Sequence, residues 1–414
     1  MSLYTNRSNT EDEDDDDEDD LCLLVAAAVV EEAESKVSWK VKYLTMEGRH
    51  RRDCCIPREA LVAPKQSPWQ KLYHSGNEQA LITVTGLDHE AFAVLLERFA
   101  PLFARFTPWT GNCDGATYKR LRQTGTKRRG RKRLIKVHAC LGLVLSWYRF
   151  RGAEYILQGW FGFTGTHANV WLRFGRRMLL KTLYEYPLAI PSWPNGNKIE
   201  EMKGIVGLKH PSLGIEGVFC VADGLKLWFQ SCAGLEEQGM YYNGWNHGHQ
   251  ITNLFVFGVD GRILRCVVNV PGSVHDSVLC DWGGVYDDME EIYEATGGKC
   301  CVDSAFSGSG DYLIKSAQDI TRAKMPAEVV LITEATSLRQ AAEWGMRALQ
   351  SAFPRLKDTI RYEVDGGTER KIMLKLVVLL YNFRVEHVGL NQIRNTYVPA
   401  WSKDAEYFVG SKEV

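Results

Sequence analysis

The chain has 414 residues, 45% of them hydrophobic and 11% aromatic, enough to bury a substantial core in two or three domains or in one large domain with additions. No stretch nears the roughly 20 apolar residues of a membrane span, and no basic-then-apolar leader opens the chain, so neither a membrane protein nor a secreted one is expected. The net charge of −1 hides an asymmetry: Glu11 to Asp20 is an unbroken acidic run of ten, and taking it from the 51 acidic residues leaves 41 against 50 basic, a positive body suited to a polyanion.

Residues 1–20 read as a disordered acidic tail, either simply solvated, shielding the basic body, or binding basic proteins. Residues 21–118 read as a helical region. Leu21 to Lys40 is its apolar-then-charged lead-in, and Asp88 to Phe106 places Phe92, Leu95, Leu96 and Phe99 at helical spacing after an Asp88 cap. Lys119 to Arg133 follows, a flexible loop with nine Lys or Arg in fifteen residues. Three helical segments come next, at Leu134 to Phe150, Ala153 to Phe161 and Thr166 to Leu183. In the third, Arg173, Arg176, Arg177 and Lys181 fall on one side and Trp171, Phe174 and Met178 on another. Helix, short helix, glycine turn and basic helix outline a helix-turn-helix-like unit over 119–185. Its DNA-contact candidates are Lys127, Arg128, Arg129, Arg131, Lys132, Arg133, Arg173, Arg176 and Arg177, although a basic helix face is as readily a solvated one.

Tyr186 to Asn197, rich in Pro, Asn and Gly, marks a domain boundary. Beyond it short apolar runs end at Asp223, start at Ile251, end at Val270 and surround Val302, and Asp260-Gly261 signals a hairpin between the middle two. Long helical stretches follow at Glu334 to Lys357 and Arg370 to Val388. Strands followed by helices indicate an α/β or α+β domain around a mixed sheet over 198–395, with 396–414 as a tail. The eleven cysteines include two adjacent pairs and show no CxxC or Cys/His spacing, so reduced thiols fit better than a disulfide framework or a zinc module.

Four acids stand out in this region. Asp223 ends an apolar run before Gly224, where the backbone can turn, a setting equally common for structural acids. Asp276 lies in "VPGSVHDSVL", a loop crowded with polar groups. Asp303 interrupts "KCCVDSAF", where a buried carboxylate needs a cation or partner, unless it caps a turn through Ser304. Glu343 shares a polar helix face with Arg339, Arg347 and Gln350, opposite a packing stripe of Leu338, Ala342, Gly345, Leu349, Phe353 and Leu356; a solvated ladder of ion pairs explains that face equally well. His247 and His249 are left without a ligand role, and Asp287, Asp288, Glu290 and Glu291 read as a surface stretch.

The order of "VADGLKLWF", "YYNGWNHGHQITNLFVFGVDGRI", "VVNVPGSVHDSVL", "KCCVDSAF" and "LRQAAEWGMRALQSAFPRLK" resembles the PIF/Harbinger group of the DDE transposase superfamily, over roughly Gly217 to Lys357. The resemblance implies an RNase H-like fold, preceded here by the α-helical region. It implies a metal-dependent DNA nuclease or transposase that cleaves and joins strands at transposon ends, acting in the nucleus, often beside a Myb-like DNA-binding partner. Carried over, the family's catalytic and metal-holding acids fall on Asp223, Asp276, Asp303 and Glu343, with either Asp276 or Asp303 as the second acid of the triad. Oxygen ligands of this kind suit Mg²⁺ or Mn²⁺. The chain departs from the family where Gly-Leu-Lys follows Asp223 in place of a common Thr-His pair, and where "YYNGW" lacks a basic residue after Tyr-Asn. The alternative is a domesticated, catalytically inactive DNA-binding protein. Homo-oligomerisation is compatible with either reading.

Overall fold

The computed structural model describes residues 56–108, 118–121, 133–231, 234–306, 310–316, 325–363 and 367–398. The acidic run Glu11 to Asp20, the lead-in Leu21 to Lys40, and Lys127, Arg128, Arg129, Arg131 and Lys132 lie outside the described residues. The chain divides into two units, Met1–Ala60 and Leu61–Val414. The described part of the first is residues 56–60, with a 3-10 turn at Arg58–Ala60.

The second unit opens with helices α1 (Pro68–His74), α2 (Glu78–Thr85) and α3 (His89–Arg105). Asp88 caps α3 by accepting a hydrogen bond from the Ala91 N–H at 2.7 Å, as its sequence position suggests. Strands β1 (Phe106–Pro108) and β2 (Tyr118–Arg120) then pair antiparallel, so Lys119 and Arg120 belong to a strand and not to the expected flexible loop. Helices α4 (Val137–Arg149), α5 (Tyr155–Phe161) and α6 (Gly165–Tyr184) follow, with Gly162 at φ +72° turning the chain between the last two. Next come α7 (Gly196–Lys209) and α8 (Pro211–Glu216). Tyr186 to Asn197 packs back on the chain: the Tyr186 hydroxyl lies 2.6 Å from His387 Nε2, and Arg262 donates to the Leu188 carbonyl at 2.8 Å.

The sheet begins with β3 (Val218–Trp228), followed by α9 (Leu235–Tyr241), β4 (Tyr242–Asn243), β5 (Gly248–Gly258) and β6 (Ile263–Pro271). Helices α10 (Asp276–Trp282) and α11 (Val285–Thr296) lead to β7 (Lys299–Val302) and β8 (Leu313–Lys315). The unit closes with α12 (Pro326–Ala352), α13 (Thr368–His387) and α14 (Gln392–Tyr397). Strand β3 is central, antiparallel to β5 on one side and parallel to β7 on the other, with β8 parallel beyond β7. The far edge of β5 takes β4 at its start and β6 along the rest. The β5–β6 hairpin turns at Asp260-Gly261 as its sequence indicates: Gly261 has φ +85°, and the Asp260 carboxylate accepts from the Arg262 N–H at 3.1 Å.

Helix α12 covers one face of this sheet. Its expected stripe is buried throughout, and Gly345 lets it approach Phe257, whose ring atoms stand 2.8 to 2.9 Å from where a Cβ would lie. The Cys301 thiol, which contacts the Ala335 carbonyl of α12 at 3.4 Å, marks the sheet residues on that side. Helix α13 is buried almost all round and ties the helical region to the sheet. Asn382 exchanges hydrogen bonds of 2.8 and 2.9 Å with the Ile263 backbone, and Arg384 donates to the Gly86 carbonyl at 2.7 Å.

Candidate active site

Asp223 does not end its strand. β3 continues through Gly224 to Trp228 because β5 pairs with it over the whole length, with Asp223 opposite Phe255 and Gly224 opposite Leu254, so the turn expected at Gly224 is absent. Side chains alternate across a strand. Asp223 therefore shares the α12 face with Val221, the partner of Cys301, while Gly224 presents its α-carbon to the other face. The Asp223 carboxylate is 16% exposed; Oδ1 accepts from the Gly224 N–H at 2.7 Å, and Oδ2 lies 3.5 Å from Nη1 of Arg339.

Asp276 stands at the first position of α10, where a negative charge suits the helix end. Its carboxyl group occupies the space a Cβ at residue 224 would take, so any side chain there would collide with it. This gives a physical reason for glycine after the first acid. Oδ1 of Asp276 is buried without a hydrogen-bond partner.

Asp303 follows directly on β7. The register pairs Val221 with Cys301, two residues before Asp223 and Asp303, and the two carboxylates are near enough to repel each other. Oδ1 of Asp303 accepts from the Ser304 N–H at 2.7 Å, so the turn-capping role is present together with proximity to the other acids. Glu343 reaches the same side from α12. Oε1 lies 3.1 Å from Nη2 of Arg339, whose other nitrogen faces Asp223, and Oε2 lies 3.8 Å from Arg347. The i,i+4 ladder read from the sequence exists, but its Arg339 rung points at Asp223.

Burial dominates the electrostatics. It pushes the Asp223 carboxyl up to about 6, against the Gly224 N–H and Arg339, with repulsion from Asp276 and Asp303 adding to it. Burial likewise raises Asp276, opposed by Lys226 and His275 and reinforced by Asp303. Three aspartates thus sense one another, and Arg339 links Asp223 to Glu343. An oxygen-only donor set and a buried, unpartnered Asp276 oxygen suit a hard divalent cation. Among the described residues, however, no three His, Cys, Asp or Glu side chains stand close enough to hold a metal ion jointly.

The roles of Arg339 and Lys226 are not apparent from the sequence reading. Arg339 precedes Glu343 by one helical turn, and Lys226 lies two residues after Gly224, on the Asp276 side of the strand; those spacings are the signals available.

The arginines expected to contact DNA are placed differently. Arg133 donates to the Phe103 carbonyl and, at 2.5 Å, to the Phe106 carbonyl, closing the end of α3. On α6, Arg173, Arg176 and Arg177 all pair with Glu369 at the start of α13, at 2.9, 3.3 and 2.7 Å, and the side chains of Arg176 and Arg177 are only 8% and 12% exposed. The expected basic face is corrected accordingly: Arg176 and Arg177 are buried counter-ions of Glu369, held inward because the chain supplies an acid there. Asp288 is structural, accepting from Trp193 at 3.0 Å and pairing with Arg265 at 2.9 Å. His247 is exposed in a left-handed conformation at φ +50°, and His249 Nε2 is buried without a hydrogen-bond partner.

Residues 222–382 match the family model described as DDE superfamily endonuclease. The matched segment starts one residue before Asp223, ends in α13 and contains all four acids. No curated protein and no solved structure gave a match.

Proposed function

Taking the DDE endonuclease match as premise, we propose that the chain is a divalent-metal-dependent DNA nuclease of the PIF/Harbinger transposase type, cutting phosphodiester bonds and joining strands at transposon ends in the nucleus. The observation that carries this reading is the mutual repulsion of Asp223, Asp276 and Asp303, with Arg339 of α12 lying between Asp223 and Glu343. A central β3, with the antiparallel strands β4, β5 and β6 to one side and the parallel strands β7 and β8 to the other, supports the RNase H-like architecture.

Asp223, Asp303 and Glu343 would hold Mg²⁺ or Mn²⁺, and Asp276 supports them from across β3. When bound, such an ion would activate a water or a 3'-hydroxyl for attack on the phosphate and neutralise charge on the leaving oxygen. The protein's own share is positional. Strand β3 holds Asp223 and the end of β7 leads into Asp303, the Gly224 and Ser304 N–H groups orient one carboxylate oxygen of each, and burial keeps Asp223 from being fully hydrated. Asp276 packs its carboxyl group against Gly224; burial raises it, and Lys226 and His275 act against that rise. DNA contact falls to Lys127, Arg128, Arg129, Arg131 and Lys132 and to the exposed edge of Arg173, and a Myb-like partner would supply sequence recognition.

The test is nicking of supercoiled plasmid by the full chain with Mn²⁺ or Mg²⁺. Activity that needs the metal and is lost in Asp223→Asn supports the reading; nicking unchanged in Asp223→Asn and Glu343→Gln contradicts it. A DNA-binding protein without nuclease activity is the second reading, favoured by the absence of three gathered ligands among the described residues. It is supported if no nicking occurs while DNA affinity falls steeply with salt.

A further inference from the structure

Arg339 has no part in the proposed chemistry, yet it sits between two of the acids that chemistry needs. Its guanidinium spans two elements: Nη1 is 3.5 Å from Asp223 on β3, and Nη2 is 3.1 Å from Glu343 on α12. The side chain is 26% exposed, whereas Arg347, the other partner of Glu343, is 74% exposed and touches no second acid among the described residues. A guanidinium keeps its proton at any ordinary pH and carries forked donors, so it can hold two carboxylates at once. The oxygens it takes, Asp223 Oδ2 and Glu343 Oε1, are ones a divalent ion would require.

We propose that Arg339 is the resident cation of this acid site, a positioning residue that holds Asp223 and Glu343 in the metal-free protein and gives way when a divalent ion binds. It thereby sets the affinity for metal. This rests on the reading of the site as metal-dependent, and it accounts for the lack of three gathered ligands: the place of the metal charge is taken by an arginine. Release of the guanidinium also frees a positive group beside the site as the ion enters.

The experiment is Mn²⁺ binding to the EDTA-stripped full chain, by calorimetry and by the loss of the free-ion electron paramagnetic resonance signal, for wild type, Arg339→Gln, Arg339→Lys, Arg347→Gln and Asp223→Asn. The expected result is binding tightened about tenfold or more in Arg339→Gln. Arg347→Gln should stay within about twofold of wild type, since an exposed ion pair contributes little. Arg339→Lys should fall between, because an ammonium cannot fork across both acids. Should Arg339→Gln fail to fold, Arg339→Lys decides. If wild type binds Mn²⁺, Asp223→Asn does not, and neither Arg339 variant binds more tightly, the counter-ion role is overturned while the metal site stands. If neither wild type nor the Arg339 variants bind Mn²⁺, the metal-dependent reading and this inference fall together.

Discussion

Asp276 and Gly224 occupy one space: the carboxyl group of the first fills the volume that a side chain on the second would need. Strand β3 passes between Asp223 and Asp276 at that point, with Asp223 turned to α12 and Gly224 to α10. The glycine is a packing requirement of the acid on the other face. Gly224→Ala should push the Asp276 carboxylate out of its place and destabilise the protein by about 1 to 3 kcal/mol, the usual cost of overpacking. Urea denaturation checks this. An unchanged midpoint would mean that Asp276 relaxes freely.

The same arrangement ranks the two candidates for the second acid. Asp303 follows directly on β7, the parallel neighbour of β3, and repels Asp223, whereas Asp276 packs on Gly224, which faces away from the α12 side of the strand. Asp303→Asn should therefore lower metal-dependent nicking by more than about a hundredfold, and Asp276→Asn, as a supporting group, by about 10 to 100-fold. Single-turnover rates at saturating Mn²⁺ distinguish them, and the reverse order would reassign the pair.

Much of this was legible in the sequence. The α12 stripe, the Asp260-Gly261 hairpin and the Asp88 cap are local patterns whose causes lie within a few residues, and they appear as read. Strand β3 running past Asp223 was not legible, because the pairing with β5 that sustains it comes from a segment some thirty residues on. The inward turn of Arg173, Arg176 and Arg177 depends on Glu369, 196 residues from Arg173. A helical wheel shows which residues share a face but not what that face meets. Of the site, Asp276 and Asp303 stand out by their surroundings. Asp223 and Glu343 needed the family resemblance, since an acid in a strand and an acid in an ion-pair ladder have ordinary explanations.

Glu369 is enclosed by those three arginines. Burial pushes its carboxyl up, but hydrogen bonds and charge from Arg177, Arg176 and Arg173 outweigh this and hold it below the usual carboxylate range. A lowered folded-state value means stability that is present above the unfolded value and lost as pH falls through the folded one. Glu369→Gln should cost about 3 to 5 kcal/mol at neutral pH by leaving buried arginines uncompensated. It should also flatten the acid limb of the stability curve, as thermal melts across the acid range would show. A loss within error of zero would mean that water replaces the carboxylate.

Asp223 has the opposite sign. Burial raises its carboxyl to about 6, so protonation favours the folded metal-free chain, and that contribution is lost as pH rises from the ordinary carboxylate range through about 6. In EDTA, wild type should lose about 1 to 3 kcal/mol over that window, and Asp223→Asn should lose less. Denaturant titrations at several pH values measure the difference. Equal slopes would show that Arg339 already compensates the charge.

The most direct test of the central claim is anomalous scattering from crystals soaked in Mn²⁺. The expected result is a peak between Asp223 and Asp303 with Glu343 turned toward it and Arg339 displaced. A fully soaked crystal with no peak there, and with Arg339 still bridging Asp223 and Glu343, would contradict the account.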